Sequence, residues 1–344
     1  MIIRSRAPLR LGLAGGGTDV SPYSEDYGGC VLNVSIDMFA YCTIETLDSG
    51  QVEFLAKDIG VSFKSPAMPN FVPDGDLVLH KAIYNRVVHQ FNNGQPLAVR
   101  VITFSDAPPG SGLGSSSTMV VAMLAAYREL LGLPLGEYDL AHLAYVIERV
   151  DCGFAGGKQD QYAATFGGFN FMEFYRNDHV IVNPLRIRRH IEIELQSRLL
   201  LYFTGVSRES SRIIKDQIQS TVGKECNPDG VNAMHDVKRL SFEMKEKLLK
   251  GDIDGMVVLF NDSWNAKKRL SSAISNTYVE EVAHAAKRSG ADAIKISGAG
   301  GGGFMMLLVD PVLRLDVIEG LSSFKGYFRN FQFNHAGAEA WRVR

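Results

Sequence analysis

Apolar positions fall into two rhythms along this chain, and the rhythms mark its elements. Strand-like runs cover Ile2 to Leu13, Gly28 to Leu47 (one strand or two), Val52 to Phe63 and Leu97 to Phe104. Between them, Leu79, Ile83, Val87 and Phe91 recur at helical spacing, which predicts a helix over Leu77 to Phe91. A long apolar segment, Met119 to Leu131, predicts a second helix, and Leu140 to Val150 a third. Phe166 to Phe171 and Val180 to Val182 read as strands, and the basic run Arg186 to His190 as a solvated face. From about Ile191 the pattern changes. A strand at Leu199 to Thr204 precedes four helices, Ser210 to Gln219, Val231 to Leu249, Ile253 to Leu270 and Asn276 to Ser289. Strands at Ala293 to Ile296 and Phe304 to Val309 follow, then a helix at Val312 to Ser323 and a strand at Tyr327 to Phe333. This predicts two domains, 1–190 and 191–344: a mixed α/β unit, then an α+β layer of helices on a small sheet.

Composition narrows the class. Hydrophobic content of 46% and charged content of 22% are those of an ordinary globular chain. A net charge of −2 gives no steering toward nucleic acid or lipid, so neither is expected as a partner. Cys30, Cys42, Cys152 and Cys226 are scattered without a Cys-x-x-Cys pair. That pattern fits neither a zinc site nor a disulfide framework and suits a reducing cytoplasm. The N-terminus shows no signal-peptide core, and no membrane span is expected.

The 34 glycines cluster in a few places, and the chemistry lies there. Between the strand ending at Phe104 and the helix from Met119 runs Pro109-Gly110-Ser111-Gly112-Leu113-Gly114-Ser115-Ser116-Ser117-Thr118. Glycines let successive N–H groups point into one concavity, and a following helix adds the positive end of its dipole. The stretch therefore reads as an anion cradle, with a Ser/Thr-capped helix after a plain turn as the alternative. It is not a Walker A loop, because Ser115 stands where that pattern needs lysine, so positive charge must come from elsewhere. A dinucleotide loop fails on context, since Glu129 falls inside the following helix and the hydroxyl run would have no role. Two more glycine loops flank it. Ala14-Gly15-Gly16-Gly17-Thr18-Asp19 ends the first strand, and Ser297 to Gly303 lies near the end. Asp19 can cap a helix or accept hydrogen bonds from ligand hydroxyls.

These three loops, in this order, resemble those of the GHMP kinases, the family of galactokinases, homoserine kinases and mevalonate kinases. The matching residues are Ala7-Pro8-Leu9-Arg10 with Gly15 to Asp19, Pro109 to Ser117, and Lys295 to Gly302. The resemblance implies a two-domain fold, with a ferredoxin-like C-terminal domain and the active site in the cleft between domains. It implies phosphoryl transfer from ATP with Mg²⁺. Gly110, Ser111, Gly112, Leu113, Gly114, Ser115, Ser116 and Ser117 would cradle the phosphates. Ser116, with Ser115 and Ser117 as close rivals, and Glu148 would hold the metal, although spacing alone gives Glu148 a salt bridge to Arg149. Asp160 would be the catalytic base and Arg10 its basic neighbour. A carboxylate is a weak base toward a sugar hydroxyl, so much of its value is to orient the nucleophile and accept the proton late.

Within the family, Ala14 to Asp19 together with Gly153 and Lys158-Gln159-Asp160-Gln161 resemble the bacterial kinases that phosphorylate the anomeric oxygen of D-glycero-D-manno-heptose 7-phosphate for cell-surface glycans. Gly16-Gly17 replace the Glu-His of galactokinases, which removes two polar contacts and leaves room. Gly16, Gly17, Thr18, Asp19, Gly300 and Gly301 would meet the sugar. Lys158, Arg208 and Arg212 are candidates for its distal phosphate. A galactose- or fucose-type 1-kinase is the alternative substrate class, and a non-catalytic sugar-binding relative is disfavoured by the intact Ser116, Glu148 and Asp160. The expected partners are a sugar phosphate and ATP, with the chain acting as a monomer or homodimer in the cytoplasm.

Overall fold

Strand β1 (Ile2–Ala14) lies between its sequence neighbour β2 (Gly29–Thr46) and a strand from the far end of the chain. In this computed structural model, residues 1–206, 210–221 and 228–343 are described. A short helix α1 (Tyr23–Tyr27) joins the first two strands. The first half continues through β3 (Gln51–Ala56), β4 (Val61–Pro66), α2 (Val78–Phe91), β5 (Val99–Ser105) and α3 (Ser115–Leu131). Helix α4 (Glu137–Tyr145) runs into a π-helical turn at Val146–Asp151, followed by α5 (Gln159–Phe166), β6 (Phe169–Phe174) and β7 (Val180–Pro184). The second half holds α6 (Arg189–Arg198), β8 (Leu199–Phe203), α7 (Ser210–Thr221), α8 (Pro228–Lys250), α9 (Ile253–Lys268) and α10 (Thr277–Arg288). Then come β9 (Ala291–Ile296), β10 (Phe304–Val309), α11 (Arg314–Gly320), β11 (Tyr327–Arg329) and β12 (Glu339–Val343).

The larger sheet has the order β12-β1-β2-β5-β3-β4, with β6 and β7 attached to β2. Strand β3 pairs in parallel with β5, a connection that needs a crossover, and α2 lies within it. Helix α3 is apolar nearly all round, with Val120 to Tyr127 buried, so it sits inside the first half under the sheet. The smaller sheet has the order β11-β8-β10-β9 with every pairing antiparallel. In chain order that is 4-1-3-2, the ferredoxin-like arrangement, with α10 laying Val279, Val282, Ala283 and Ala286 on the core beneath it.

The two halves share a core. Leu9, Leu11 and Leu13 of β1 pack in one cluster with Leu201 and Phe203 of β8, Phe260 of α9, and Phe304 and Met306 of β10. Each such side chain contributes roughly 1.5–3 kcal/mol on burial, so the halves are fused rather than tethered. The glycine loops lie at the edge of this joint.

Several elements depart from the sequence reading. Helix α6 begins inside the basic run, and the Arg189 side chain there is mostly exposed. The helix expected at 140–150 divides into α4 and the π-turn. The hydroxyl run forms the first turn of α3 instead of preceding it. Strand β12 was not anticipated, and it joins the sheet of the first half.

Candidate active site

The phosphate loop and the third glycine loop are interlocked at their backbones. Gly112 has φ +81°, and a Cβ there would stand 2.4 Å from the Ser297 carbonyl oxygen, so both its conformation and its space demand glycine. Ser297 Oγ donates to the Gly112 carbonyl at 2.9 Å, and the Phe304 N–H donates to the Ser111 carbonyl at 2.8 Å. Helix α3 begins after Gly114 with no side-chain cap. The N–H groups of its first turn therefore open toward the cleft as an anion site. Pro109, Gly110, Ser111, Gly112, Gly114, Ser115, Ser116 and Ser117 line that cleft, which has a volume of about 740 Å³. Leu113 does not line it. Its side chain is buried in the core, and its carbonyl accepts the Arg10 N–H at 3.2 Å, which ties the loop to β1.

Arg10 and Asp160 meet beside this loop. Arg10 is 5% exposed. Its Nε and Nη2 lie 2.7 and 2.6 Å from Asp160 Oδ1, and its Nη1 donates to the Gly112 carbonyl at 2.6 Å. Asp160 Oδ2 is turned to the start of α3, 3.3 Å from where a Cβ on Gly114 would stand.

Glu148 sits in the π-turn and is buried. Ser116 Oγ donates to its Oε1 at 2.8 Å and Gln161 Nε2 to its Oε2 at 2.7 Å, while Arg149 stands at 3.4 Å. Glu148 thus faces both Ser116 and Arg149, so the ion pair that spacing alone gives it is present. Arg149 also braces the Gly153–Lys158 loop through the Ala155 and Gly157 carbonyls. One carboxylate and one hydroxyl oxygen adjacent at the rim of an anion site fit Mg²⁺, which takes one or two protein oxygens and completes its shell with phosphate and water.

Asp19 faces the cleft from the first loop. Its Oδ2 accepts the Gln159 N–H at 3.0 Å and its Oδ1 the Gly17 N–H at 3.1 Å. Gly157 presses against it so closely that a Cβ would fall 1.9 Å from Oδ2. Gly16 and Gly17 line the cleft beside Asp19.

Other expected acceptor residues lie elsewhere. Thr18 is buried, with its hydroxyl 2.8 and 2.9 Å from the Gly15 and Cys30 carbonyls, and it pins the loop to β2. Lys158 turns away from the cleft to Asp178 at 2.5 Å, over the Tyr145 ring. Gly300 and Gly301 pack on Ile274, and the cleft is met instead by Gly298 and Ala299. Arg212 is exposed on α7, and Arg208 lies outside the described residues.

Sequence reasoning missed Lys267, Lys295, Gln159 and Gln217, all of which line the cleft. Lys295 is buried and donates to the Leu13 carbonyl at 2.8 Å, and burial pushes its pKa well down. Lys267 donates to the Gly298 carbonyl at 2.5 Å, and burial lowers its pKa to about 8. Lys295 stands two residues before the third glycine loop, at the head of the matching stretch Lys295 to Gly302, the one signal that could have marked it. Lys267 stands in a Lys-Lys-Arg run that reads as surface.

The chain matches two profiles of one family, GHMP kinases N terminal domain over residues 78–168 and GHMP kinases C terminal over residues 244–325. It is 45% identical over 341 residues to a D-glycero-alpha-D-manno-heptose 7-phosphate kinase of Campylobacter jejuni, covering 99% of each chain. A solved structure described as a D-glycero-D-manno-heptose 1-phosphate kinase from Bacteriodes thetaiotaomicron superposes with a TM-score of 0.85 at 43% identity, covering 99% of each chain. The galactokinase of Lactococcus lactis shares the fold at 17% identity, with a TM-score of 0.74 over 98% of this chain and 95% of its own.

Proposed function

This chain belongs to the GHMP kinases, and from that premise we propose that it transfers the γ-phosphoryl group of ATP to the anomeric hydroxyl of D-glycero-D-manno-heptose 7-phosphate, giving ADP and the 1,7-bisphosphate. The family implies ATP as phosphoryl donor. The substrate is the one named for the C. jejuni relative, with which nearly the whole chain aligns.

The observation that carries the reaction is the set of three groups on one cleft: the uncapped start of α3, Asp160 with one oxygen free of Arg10, and Asp19. The N–H groups of Gly110 to Ser117 receive the phosphates. Asp19 accepts hydrogen bonds from sugar hydroxyls and sets the ring. The anomeric oxygen attacks phosphorus, the bond from phosphorus to the β-phosphate oxygen breaks, and the hydroxyl proton passes to Asp160 Oδ2. Arg10 fixes that carboxylate and adds positive charge beside the transferring group, where electrostatic stabilisation is worth most. Ser116 and Glu148 would hold Mg²⁺, which supplies charge neutralisation on the phosphates when bound.

On this reading the enzyme works in the cytoplasm and its product feeds nucleotide-activated heptose synthesis. Phosphorus NMR after incubation with ATP, Mg²⁺ and the heptose 7-phosphate tests it. A new phosphomonoester resonance coupled to the anomeric proton is expected. Absence of ADP, or phosphate on another carbon, overturns the assignment.

A further inference from the structure

Lys267 enters the cleft from the last turn of α9. It is 5% exposed, and its Nζ donates to the Gly298 carbonyl at 2.5 Å. An ammonium has three N–H donors. Among the described residues no second hydrogen-bond acceptor engages the other two. Holding a lysine charge away from water is costly unless its donors are used, so a group absent from the protein itself is implied.

The surroundings say what kind of group. A Cβ on Gly16 would lie 3.8 Å from Lys267 Nζ and 3.7 Å from Gln159 Oε1, so both side chains border the space that this glycine leaves. Gln159 Nε2 is buried without a hydrogen-bond partner at the same wall. The charges felt by Lys267 are those of Asp19 and Asp160, which favour its ammonium, and of Arg10, which opposes it. Lys295 of β9 is no added cation here, because burial, with the Lys267 and Arg10 charges after it, pushes its pKa well down. Two carboxylates flanking the ammonium repel a phosphate dianion. A polyol suits them, because each hydroxyl can donate to a carboxylate while its oxygen accepts from the lysine.

We propose that Lys267 is an acceptor-binding residue that donates to a ring hydroxyl of the sugar, between the hydroxyl held by Asp19 and the one activated at Asp160, with Gln159 as its neighbour on the same ring. This rests on the sugar-kinase reading. It puts acceptor recognition on both halves of the chain, with Asp19 and Gln159 from the first and Lys267 from the second.

The test is a cycle between substrate and variant. Wild type and Lys267→Met are assayed with ATP against heptose 7-phosphate, mannose, galactose and fucose, then against monodeoxy analogues of whichever sugar the wild type uses best. Lys267→Met is expected to raise the KM for sugar roughly 10- to 100-fold, as for a lost hydrogen bond from a charged group. The KM for ATP should stay within about twofold. Removing one particular hydroxyl should cost the wild type at least about tenfold and the variant almost nothing, since the bond is already gone. If every deoxy penalty is the same in both proteins, or the ATP KM takes the change, Lys267 does not bind the acceptor. Lys267→Gln keeps a donor for the Gly298 carbonyl, and should the methionine variant misfold it is read by the same cycle. A wild type that prefers another sugar overturns the heptose assignment, while the cycle on that sugar still judges Lys267.

Discussion

Arg10 holds a single oxygen of Asp160 with two of its nitrogens, Nε at 2.7 Å and Nη2 at 2.6 Å from Oδ1, and leaves Oδ2 facing Gly114. A fork that gripped both oxygens would have bound the carboxylate more symmetrically and closed it to substrate. Here the guanidinium is a bracket. Its remaining nitrogen, Nη1, donates to the Gly112 carbonyl at 2.6 Å, so the base and the phosphate loop share one support.

Asp160→Asn presents an amide to that bracket and removes the proton acceptor. Turnover should fall about 10²-fold or more, the usual value of positioned acid–base catalysis. ATP affinity measured by calorimetry should hardly change. A fall of less than tenfold in kcat would remove Asp160 from the role of base.

Gly157→Ala tests Asp19. The alanine Cβ would stand 1.9 Å from Asp19 Oδ2, and Gly157 is not in the left-handed region, so only space is at issue. Asp19 must move, and the KM for sugar should rise at least about tenfold with the ATP KM unchanged. An equal rise in both constants would point to general distortion of the cleft.

Glu148→Gln keeps the shape and the Ser116 contact but removes the charge. The Mg²⁺ concentration for half-maximal rate should rise roughly tenfold or more at fixed ATP. Magnesium titrations on the two proteins settle it, and superimposable curves would exclude Glu148 as a ligand.

The pKa of Lys267 is lowered to about 8, first by burial and then by the charge of Arg10. Below pH 8 it is an ammonium. Initial-rate profiles of kcat/KM for sugar should be flat on that side and decline above pH 8, with that limb missing in Lys267→Gln. Stability runs the other way. Between about pH 8 and the unfolded value near 10.5 the unfolded chain binds more protons at this group, so its contribution to stability rises with pH in that window. Melting curves from pH 8 to 10 should show the wild type gaining on Lys267→Gln. A gain confined to lower pH would contradict the burial of the charge.

Much of the site was legible because glycine clusters are rare and each marks a tight backbone. Ser111, Gly112, Gly114 to Ser117, Arg10, Asp19, Glu148 and Asp160 fall around one cleft as the motifs imply, while Leu113 turns into the core. What escaped depends on direction rather than residue type. Lys267, Lys268 and Arg269 are consecutive, yet successive helical residues turn by about 100°. Only Lys267 reaches inward, while the Arg269 side chain is half exposed. Thr18 sits next to Asp19 in sequence, but its hydroxyl is used up on Gly15 and Cys30. Lys158 lies two residues before Asp160, and the turn into α5 sends it to the opposite side. Strand β12 could not be read from periodicity, since its residues are largely exposed on an edge. Its place is set by pairing with β1, a contact at very long sequence separation.

That pairing bears on how the protein comes into being. Arg6 and Glu339 are hydrogen-bonded at 2.7 Å and lie 333 positions apart in sequence. Until residues 339–343 have been made, β1 keeps one open side along its first turn of pairing, from Ile2 to Arg6. A nascent chain emerging from the ribosome therefore cannot finish its first sheet as a unit while the second half is still being synthesised. Open strand edges are where newly made chains associate wrongly. Truncation just before β12 should accordingly injure yield in the cell more than it injures the cleft.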